Sequence, residues 1–329
     1  MGSLLTSGEL ERYFNYIGLP QTFRTEQKPS PDIELLTALH THHISTIPYE
    51  NLSLHYAKDV YISLDAHVLL EKFLANGRGG YCMEHSIFFN SVLRALGFQV
   101  YLTGARPRVR SDGVPVGEYL GWYVSNKQQR HYLTRSRRHV VNIVTLPDGA
   151  KWVTDVGFGG DGMRQPMPLL KHHITQNLGP QEVRFDYASI DNETNTSAER
   201  PKVWIYQYRN APEQPWNSFC CFTETEFIHN DFEVMNFYTS TAPDSFQTVT
   251  PFVVKFLRRD NGDGTLEISG KLMLVGGDLK ENLGGKTRVV KSCRSESERL
   301  NVLKDWFGMS FTEEQQAGIK GRVSELLPT

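Results

Sequence analysis

Apolar residues recur at helical spacing in the first hundred positions of the chain, then at strand spacing. Leu10, Tyr13, Phe14 and Ile17 fall at i, i+3, i+4 and i+7, the signature of one buried helix face. Ser7 is the expected cap of that helix and Gly18 its stop. A second helix is predicted from Asp32, after Pro29 and Pro31, with Ile33, Leu36, Leu39 and His43 turned inward. The strongest pattern runs from Cys82 to Leu96, where Phe89, Leu93 and Leu96 share a stripe and Gly97 ends it.

Past Gly97 the pattern shortens. Gln99–Thr103, Tyr119–Val124, Val140–Val144 and Trp152–Val156 are brief runs rich in valine, isoleucine and aromatics, and Pro147-Asp148-Gly149 supplies a turn. Such runs predict hairpins in an antiparallel sheet or barrel. Ser189–Arg200 is a polar loop, expected to be mobile. Val253–Leu257, Leu266–Ile268 and Leu272–Val275 again read as strands, with Asn261-Gly262-Asp263-Gly264 as a turn. Ser295–Phe307 reads as a helix carrying Leu300, Leu303 and Phe307. The order is helical, then β, then mixed. With no βαβ alternation and no phosphate-cradling glycine motif, a doubly wound nucleotide fold is disfavoured.

Composition narrows the classes. With 329 residues, 39% hydrophobic and 22% charged, the chain has the make-up of a soluble globular protein with more than one domain. A net charge of −2 gives no global attraction to nucleic acid or to an anionic membrane. No apolar run approaches the roughly 18 residues of a membrane span, and the start resembles no signal peptide. Gly2 and Thr6 meet two positions of a myristoylation pattern, too few to expect lipidation. Cys82, Cys220, Cys221 and Cys293 show no metal-type or disulfide-framework spacing, so free thiols in a reducing, cytoplasmic setting are expected. The Asn192-Glu193-Thr194 triplet is read as a chance sequon.

Candidate chemistry centres on three residues. Cys82 follows Arg78-Gly79-Gly80-Tyr81, so a tight turn would deliver it to a helix N-terminus, whose dipole favours a thiolate. A free thiol ionises near about 8.5, and a neighbouring imidazole would also help by taking the proton. His139 heads the run His139–Val144, and Asp155 sits between Val153 and Val156, where it needs a cationic or hydrogen-bonding partner. Sixteen residues and a turn separate the two, a spacing that neighbouring hairpin strands allow. Cysteine, histidine and aspartate are the parts of an activated nucleophile. Two of them have a plainer reading, a buried small hydrophobe for Cys82 and a satisfied strand residue for His139, while Asp155 is harder to explain as structural. Gly157-Phe158-Gly159-Gly160 reads equally as a turn or as backbone amides open to a phosphate or an oxyanion. A zinc site from Cys82, Glu84 and His85 is disfavoured because adjacent helix positions diverge, and no metal is expected.

These residues carry a resemblance. Arg78, Gly79, Gly80, Cys82 and Glu84 match the Arg-Gly-Gly-x-Cys-x-Glu motif of the arylamine N-acetyltransferases. Ile47-Pro48-Tyr49-Glu50-Asn51-Leu52, Leu93–Phe98, Asp155–Gly159 and the stretch Asp231–Pro243 resemble further family signatures, so the likeness spans almost the whole chain. Two positions depart from it. Ser86 stands where the family usually has asparagine, and Arg138-His139-Val140-Val141-Asn142 replaces a threonine- and leucine-rich surround. The basic run before His139 and the insertion at Ser189–Arg200 point to a eukaryotic, fungal branch.

The resemblance implies an α+β fold with an N-terminal helical bundle (1–98), a central antiparallel β-barrel (99–210) and a C-terminal α/β lid (211–329). Its site would be a Cys-His-Asp triad of the transglutaminase or cysteine-protease kind. The implied activity is ping-pong transfer of an acetyl group, or a propionyl or malonyl group, from acyl-coenzyme A through a Cys82 thioester. The acceptor would be the nitrogen of an arylamine, hydrazine or hydroxylamine, as in xenobiotic arylamine detoxification. His139 would shuttle the proton and Asp155 would hold His139. Ser136, Gly159, Gly160, Tyr238, Ser240 and Thr241 would meet coenzyme A, and Phe158 and Phe237 would line the acceptor pocket. Glu50 and Arg78 are expected to form a buried ion pair, and Glu84 to be structural. Arg106, Arg108, Arg110 or the Arg135–Arg138 run would receive a malonyl carboxylate or coenzyme A phosphates, solvated surface charge being the plainer reading. A monomer or weak homodimer is expected, without nucleic acid or membrane partners. The rival reading is a thiol amidase or transglutaminase-like hydrolase using the same triad.

Overall fold

Among the described residues four helices build the first part of the chain, and a side chain bonds a backbone amide at the start of each. Helix α1 spans Ser7–Ile17 and buries the four predicted apolar residues, but its cap is Thr6. Thr6 pairs with Glu9, three positions on, in a reciprocal capping box. A cap at Ser7 would have put Leu10 in the returning position, where it has nothing to offer. Asp32 caps α2 (Ile33–Thr46) as predicted. Helix α3 (Ala66–Leu74) was not foreseen. Asp65 caps it, and Ala66, Leu69, Leu70 and Phe73 make the same i, i+3, i+4, i+7 face. Helix α4 spans Cys82–Ala95, and Glu84 accepts from the Tyr81 amide to close its first turn.

The computed structural model describes residues 4–24, 30–75, 77–111, 113–119, 138–190, 200–243, 245–262 and 266–327. The predicted strand over Tyr119–Val124 lies outside them from residue 120. So do Arg135, Ser136 and Arg137, the 191–199 part of the polar loop with its sequon, and the tip of the Asn261–Gly264 turn.

The central sheet starts with β2 (Gln99–Pro107), which emerges directly from α4. A small hairpin, β3 (Val109–Ser111) and β4 (Val114–Val116), follows it. Then come β5 (His139–Thr145), β6 (Lys151–Thr154), β7 (Met167–Pro168), β8 (Thr175–Gln176), β9 (Glu182–Ala188), β10 (Val203–Arg209) and β11 (Asn217–Phe222). Eight of these strands pair antiparallel in the order β7-β6-β5-β2-β11-β10-β9-β8. The chain just past β7 bridges to β9 through Lys171 and Phe185, so the sheet curls into a nearly closed barrel. Ala105, Val141, Ile143, Val153, Phe185, Tyr206 and Phe219 pack inside it. The β5–β6 hairpin turns at the predicted Pro147–Gly149, where Gly149 takes φ +84°.

Helix α5 (His229–Thr241) leads into a second antiparallel sheet of β1 (Tyr49–Glu50), β12 (Phe252–Asp260), β13 (Leu266–Val275), β14 (Asp278–Asn282) and β15 (Arg288–Ser292), in that order. The two strands expected at Leu266–Ile268 and Leu272–Val275 are one continuous β13. Strand β1 joins from the helical part, with Tyr49 opposite Val254. Helix Glu296–Phe307, capped by Ser295 and stopped by Gly308, seals the far face with Val302, Leu303 and Phe307 buried. All four cysteines are free and buried. Among the described residues no helix is long and apolar enough to cross a membrane.

Beneath α4 runs a chain of fully buried rings. His85 Nε2 donates to the Pro48 carbonyl, which only accepts. His85 Nδ1 must then accept from His43 Nε2, and His43 Nδ1 from the Tyr13 hydroxyl. His40 is locked in the same way between Met163 O and the Thr154 hydroxyl. Burial lowers His40, His55 and His85 to about 4, and His43 well below its ordinary value. A base lowered by folding binds fewer protons folded than unfolded, so stability falls as pH drops through the unfolded value of about 6.5. For a ring lowered to about 4, such as His40, the loss by pH 5 is roughly 2 kcal/mol. Thermal scans should show a flat midpoint from pH 7 to 8 and a steep fall between pH 6.5 and 5.

Candidate active site

Three elements converge where α4 begins. Cys82 is its first residue, His139 opens β5, and Asp155 is the first residue past β6. Asn142 lies opposite Thr154 in the β5–β6 register, which brings Asp155 beside the start of β5. His139 Nε2 and Asp155 Oδ2 are 2.6 Å apart, and both side chains are buried. Asp155 Oδ1 accepts from the Gly157 amide at 3.1 Å, so both carboxylate oxygens are occupied. With the Nε2 proton committed to the carboxylate, Nδ1 is the nitrogen left to accept. Cys82 and His139 line one cleft, together with Tyr49, Arg138, Gly157, Phe158, Gly160, Asp161, Phe219, Gln247 and Phe252. The thiol lies 3.4 Å from the Arg138 carbonyl. Phe158 stands edge-on to His139, with ring centres 4.7 Å apart.

The turn that delivers Cys82 depends on close backbone contact. A Cβ on Gly79 would sit 1.7 Å from the Pro48 carbonyl oxygen. Glu50, fully buried, accepts from Arg78 Nε at 3.0 Å, from the Gly79 amide at 3.2 Å and from the Leu52 amide at 2.5 Å. Burial alone would raise this carboxyl, but Arg78, Lys72 and the Leu52 amide outweigh it and hold it below the usual range. The expected Glu50–Arg78 ion pair is therefore a clamp on the turn. Glu84 is bonded to Lys72 at 2.6 Å and to the Tyr81 amide. Ser86, the departure from the family pattern, donates to Val140 O and so ties α4 to β5, with Asn142 and Asn90 completing the contact.

Gly157 faces Cys82 across the site. A Cβ there would lie 2.7 Å from the Cys82 carbonyl and 3.0 Å from its Cα. Gly157→Ala should push the sulfur away from the ring and cost about a hundredfold in kcat/KM, with the far-UV circular dichroism unchanged.

Burial works against the thiolate that the helix start favours. Burial pushes Cys82 up to about 12, and the Asp155 carboxylate adds to the rise. The helix-start amides of Met83 and Cys82 oppose this, as the dipole argument requires, but they are outweighed. A thiolate is reachable here only if its proton stays close by, on the imidazole.

The remaining residues singled out by sequence are spread more widely. Gly160 and Phe158 line the cleft; Gly159, at φ +78°, abuts Tyr49 and Phe252. Tyr238, Ser240 and Thr241 lie on α5. The Ser240 and Thr241 hydroxyls donate to helix carbonyls at Asn236 and Phe237, and the Arg138 guanidinium lies 3.7 Å over the Tyr238 ring. Phe237 is 71% exposed on α5 and is not among the residues lining the cleft. Ser136 is outside the described residues. Sequence reading missed Phe219, Gln247 and Phe252 as cleft walls. No local pattern marks them, because they arrive from β11, from the short turn Phe246–Val249 and from β12.

Comparison with known proteins agrees with this architecture. The family profile described as N-acetyltransferase matches residues 32–115 and 116–316. An N-malonyltransferase FDB2 of Fusarium pseudograminearum is 30% identical over 95% of this chain and 92% of its own length. An arylamine N-acetyltransferase of Mycolicibacterium smegmatis is 26% identical over 98% of this chain and 99% of its own. Among solved structures, the arylamine N-acetyltransferase of Mycobacterium abscessus superposes with a TM-score of 0.72 at 22% identity, covering 96% of this chain and 95% of its own. That of Mycobacterium marinum in complex with CoA gives 0.69 at 21%, covering 94% and 98%. The chain belongs to the arylamine N-acetyltransferase family.

Proposed function

We propose that this acyltransferase moves a short acyl group from coenzyme A to an amine nitrogen through a thioester on Cys82. The observation that carries the reading is the shared cleft of Cys82 and His139, with His139 Nε2 held by Asp155. The thiol proton passes to His139 Nδ1 as the sulfur attacks the acyl-CoA carbonyl. The carbon–sulfur bond to coenzyme A breaks, and the departing thiolate takes the proton from His139. The amine nitrogen then attacks the Cys82 thioester, and its proton returns through His139 to the released sulfur. Thioester exchange is nearly balanced in free energy, so the site needs a good nucleophile and a dry pocket more than a strong acid.

Arylamines are the acceptor class we propose, with Phe158 as one wall, and detoxification of such amines as the role. The FDB2 relatives are named N-malonyltransferases, which favours malonyl over acetyl as the donor group. Gly159, Gly160, Ser136, Tyr238, Ser240 and Thr241 are carried over as proposed coenzyme A contacts. In this reading residues 1–98 carry the nucleophile and 99–210 carry His139 and Asp155. Residues 211–329 cover the site and lend β11 to the barrel.

Brief exposure to an acyl-CoA, followed by intact mass measurement, should show one acyl group on Cys82 and an equivalent of free coenzyme A. Added arylamine should then discharge it as amide. Release of free acid at a rate indifferent to the amine would establish the hydrolase instead.

The thiol makes a separate expectation. Removing the ring by His139→Gln leaves burial and Asp155 to hold Cys82 protonated. Its iodoacetamide alkylation at pH 7 should fall at least about a hundredfold and still be climbing at pH 10. A midpoint near 8.5 would contradict this account of the site.

A further inference from the structure

Beside the cleft, a cluster of charges has no part in the mechanism above. Gly160 and Asp161 form part of the wall that also holds Cys82. Behind them, Arg110 from β3 bonds the Asp161 carboxylate and lies 4.2 Å over the Phe219 ring, itself a cleft wall. Lys271 from β13 donates to the Gly160 carbonyl and stands 3.9 Å from Asp161 Oδ1. Its side chain is 11% exposed, that of Arg110 20%. The Arg110 Nε is buried and without a hydrogen-bond partner among the described residues. Among the described residues two cations thus meet at one carboxylate, whose own side chain is 33% exposed.

An excess buried charge is costly unless an opposite charge completes it. Burial already lowers the Lys271 ammonium below its ordinary value, against the pull of Asp161. A neutral acyl tail such as acetyl or propionyl offers no compensation. A terminal carboxylate does, and it pairs with a guanidinium and an ammonium through charge-assisted hydrogen bonds. Coenzyme A brings phosphates too, but the whole pantetheine arm separates them from the reacting sulfur. Arg108, just past β2, is spent on the carbonyls of Gly117 and Ser218.

We propose that Arg110 and Lys271, arranged around Asp161, read a carboxylate at the end of the acyl group that Cys82 accepts, selecting malonyl-type over plain acyl donors. The proposal rests on the Cys82 acyl-transfer reading and assigns its donor class to named side chains.

The test compares rates of Cys82 acylation from malonyl-CoA and acetyl-CoA by intact mass, in wild type and in Lys271→Met. Wild type should favour malonyl-CoA, and Lys271→Met should lower the malonyl-to-acetyl ratio of kcat/KM by roughly tenfold to a hundredfold, the range for a charged hydrogen bond. Arg110→Gln should move the ratio the same way, and it replaces Lys271→Met if that variant does not fold. An unchanged ratio in both variants overturns the assignment. So does a parallel fall for both donors, which would place a coenzyme A phosphate at the cluster. A wild type that accepts acetyl-CoA and malonyl-CoA equally also overturns it, while leaving acyl transfer intact. Absence of any Cys82 adduct from either donor sinks the acyl-transfer reading itself.

Discussion

Cys82→Ser is expected to abolish acyl transfer, lowering kcat/KM by at least about 10⁴-fold, with the fold retained. The environment explains the size of the effect. Burial and Asp155 already hold a thiol at about 12. A hydroxyl in the same place starts several units higher still, so it forms no ion pair with the imidazole before attack, and oxygen is the poorer nucleophile toward a thioester. Oxygen for sulfur is nearly isosteric in a residue that is 3% exposed, so thermal unfolding should change little. Intact mass after exposure to acyl-CoA gives the direct readout: no adduct should form. Substantial turnover by this variant would remove Cys82 from its assigned role.

Asp155→Asn should cost roughly 10³- to 10⁴-fold, by a different route. Both Asp155 oxygens are engaged, one with His139 Nε2 and one with the Gly157 amide. An asparagine can keep its carbonyl on Gly157 only by turning its NH₂ toward Nε2. That contact holds the ring with its proton on Nδ1, so the nitrogen facing the cleft donates where it must accept. The thiol then has nowhere to send its proton, and its alkylation rate at pH 7 should fall together with kcat. Loss of turnover with alkylation unchanged would mean that Asp155 acts on a later step.

These two expectations, like the pH-dependent stability carried by His40, His43, His55 and His85, share one physical cause. The barrel and the helical part exclude water from the region around α4, so proton positions there are set by fixed partners. The ring chain from Tyr13 through His43 to His85 and Pro48 illustrates it, because one acceptor-only carbonyl decides every tautomer in the series.

Local chemistry made several elements readable without coordinates. Helices α1, α2 and α4 and the terminal Glu296–Phe307 helix have apolar stripes, caps and glycine stops that act within a few residues, and the Pro147–Gly149 hairpin is equally local. Helix α3 carried the same signals in Asp65 and Ala66–Phe73 and was overlooked. Strands β8–β11 were hidden for a different reason. Strand β9 does alternate, at Val183, Phe185 and Tyr187, but nothing local gives its place in the sheet, and β11 pairs with the distant β2, Cys221 opposite Arg106.

For the site, the candidate residues were visible in sequence because each is a polar group in a setting that would bury it. Their types and order determined which atoms were available for chemistry. Tertiary structure alone decided which ring nitrogen faces Asp155, that burial raises the thiol, and that Arg110 and Lys271 meet at Asp161 behind the cleft wall. Those outcomes depend on desolvation and on distances of a few ångströms between segments far apart in the chain. Both arise only when the helices, the barrel and the second sheet close around the same space.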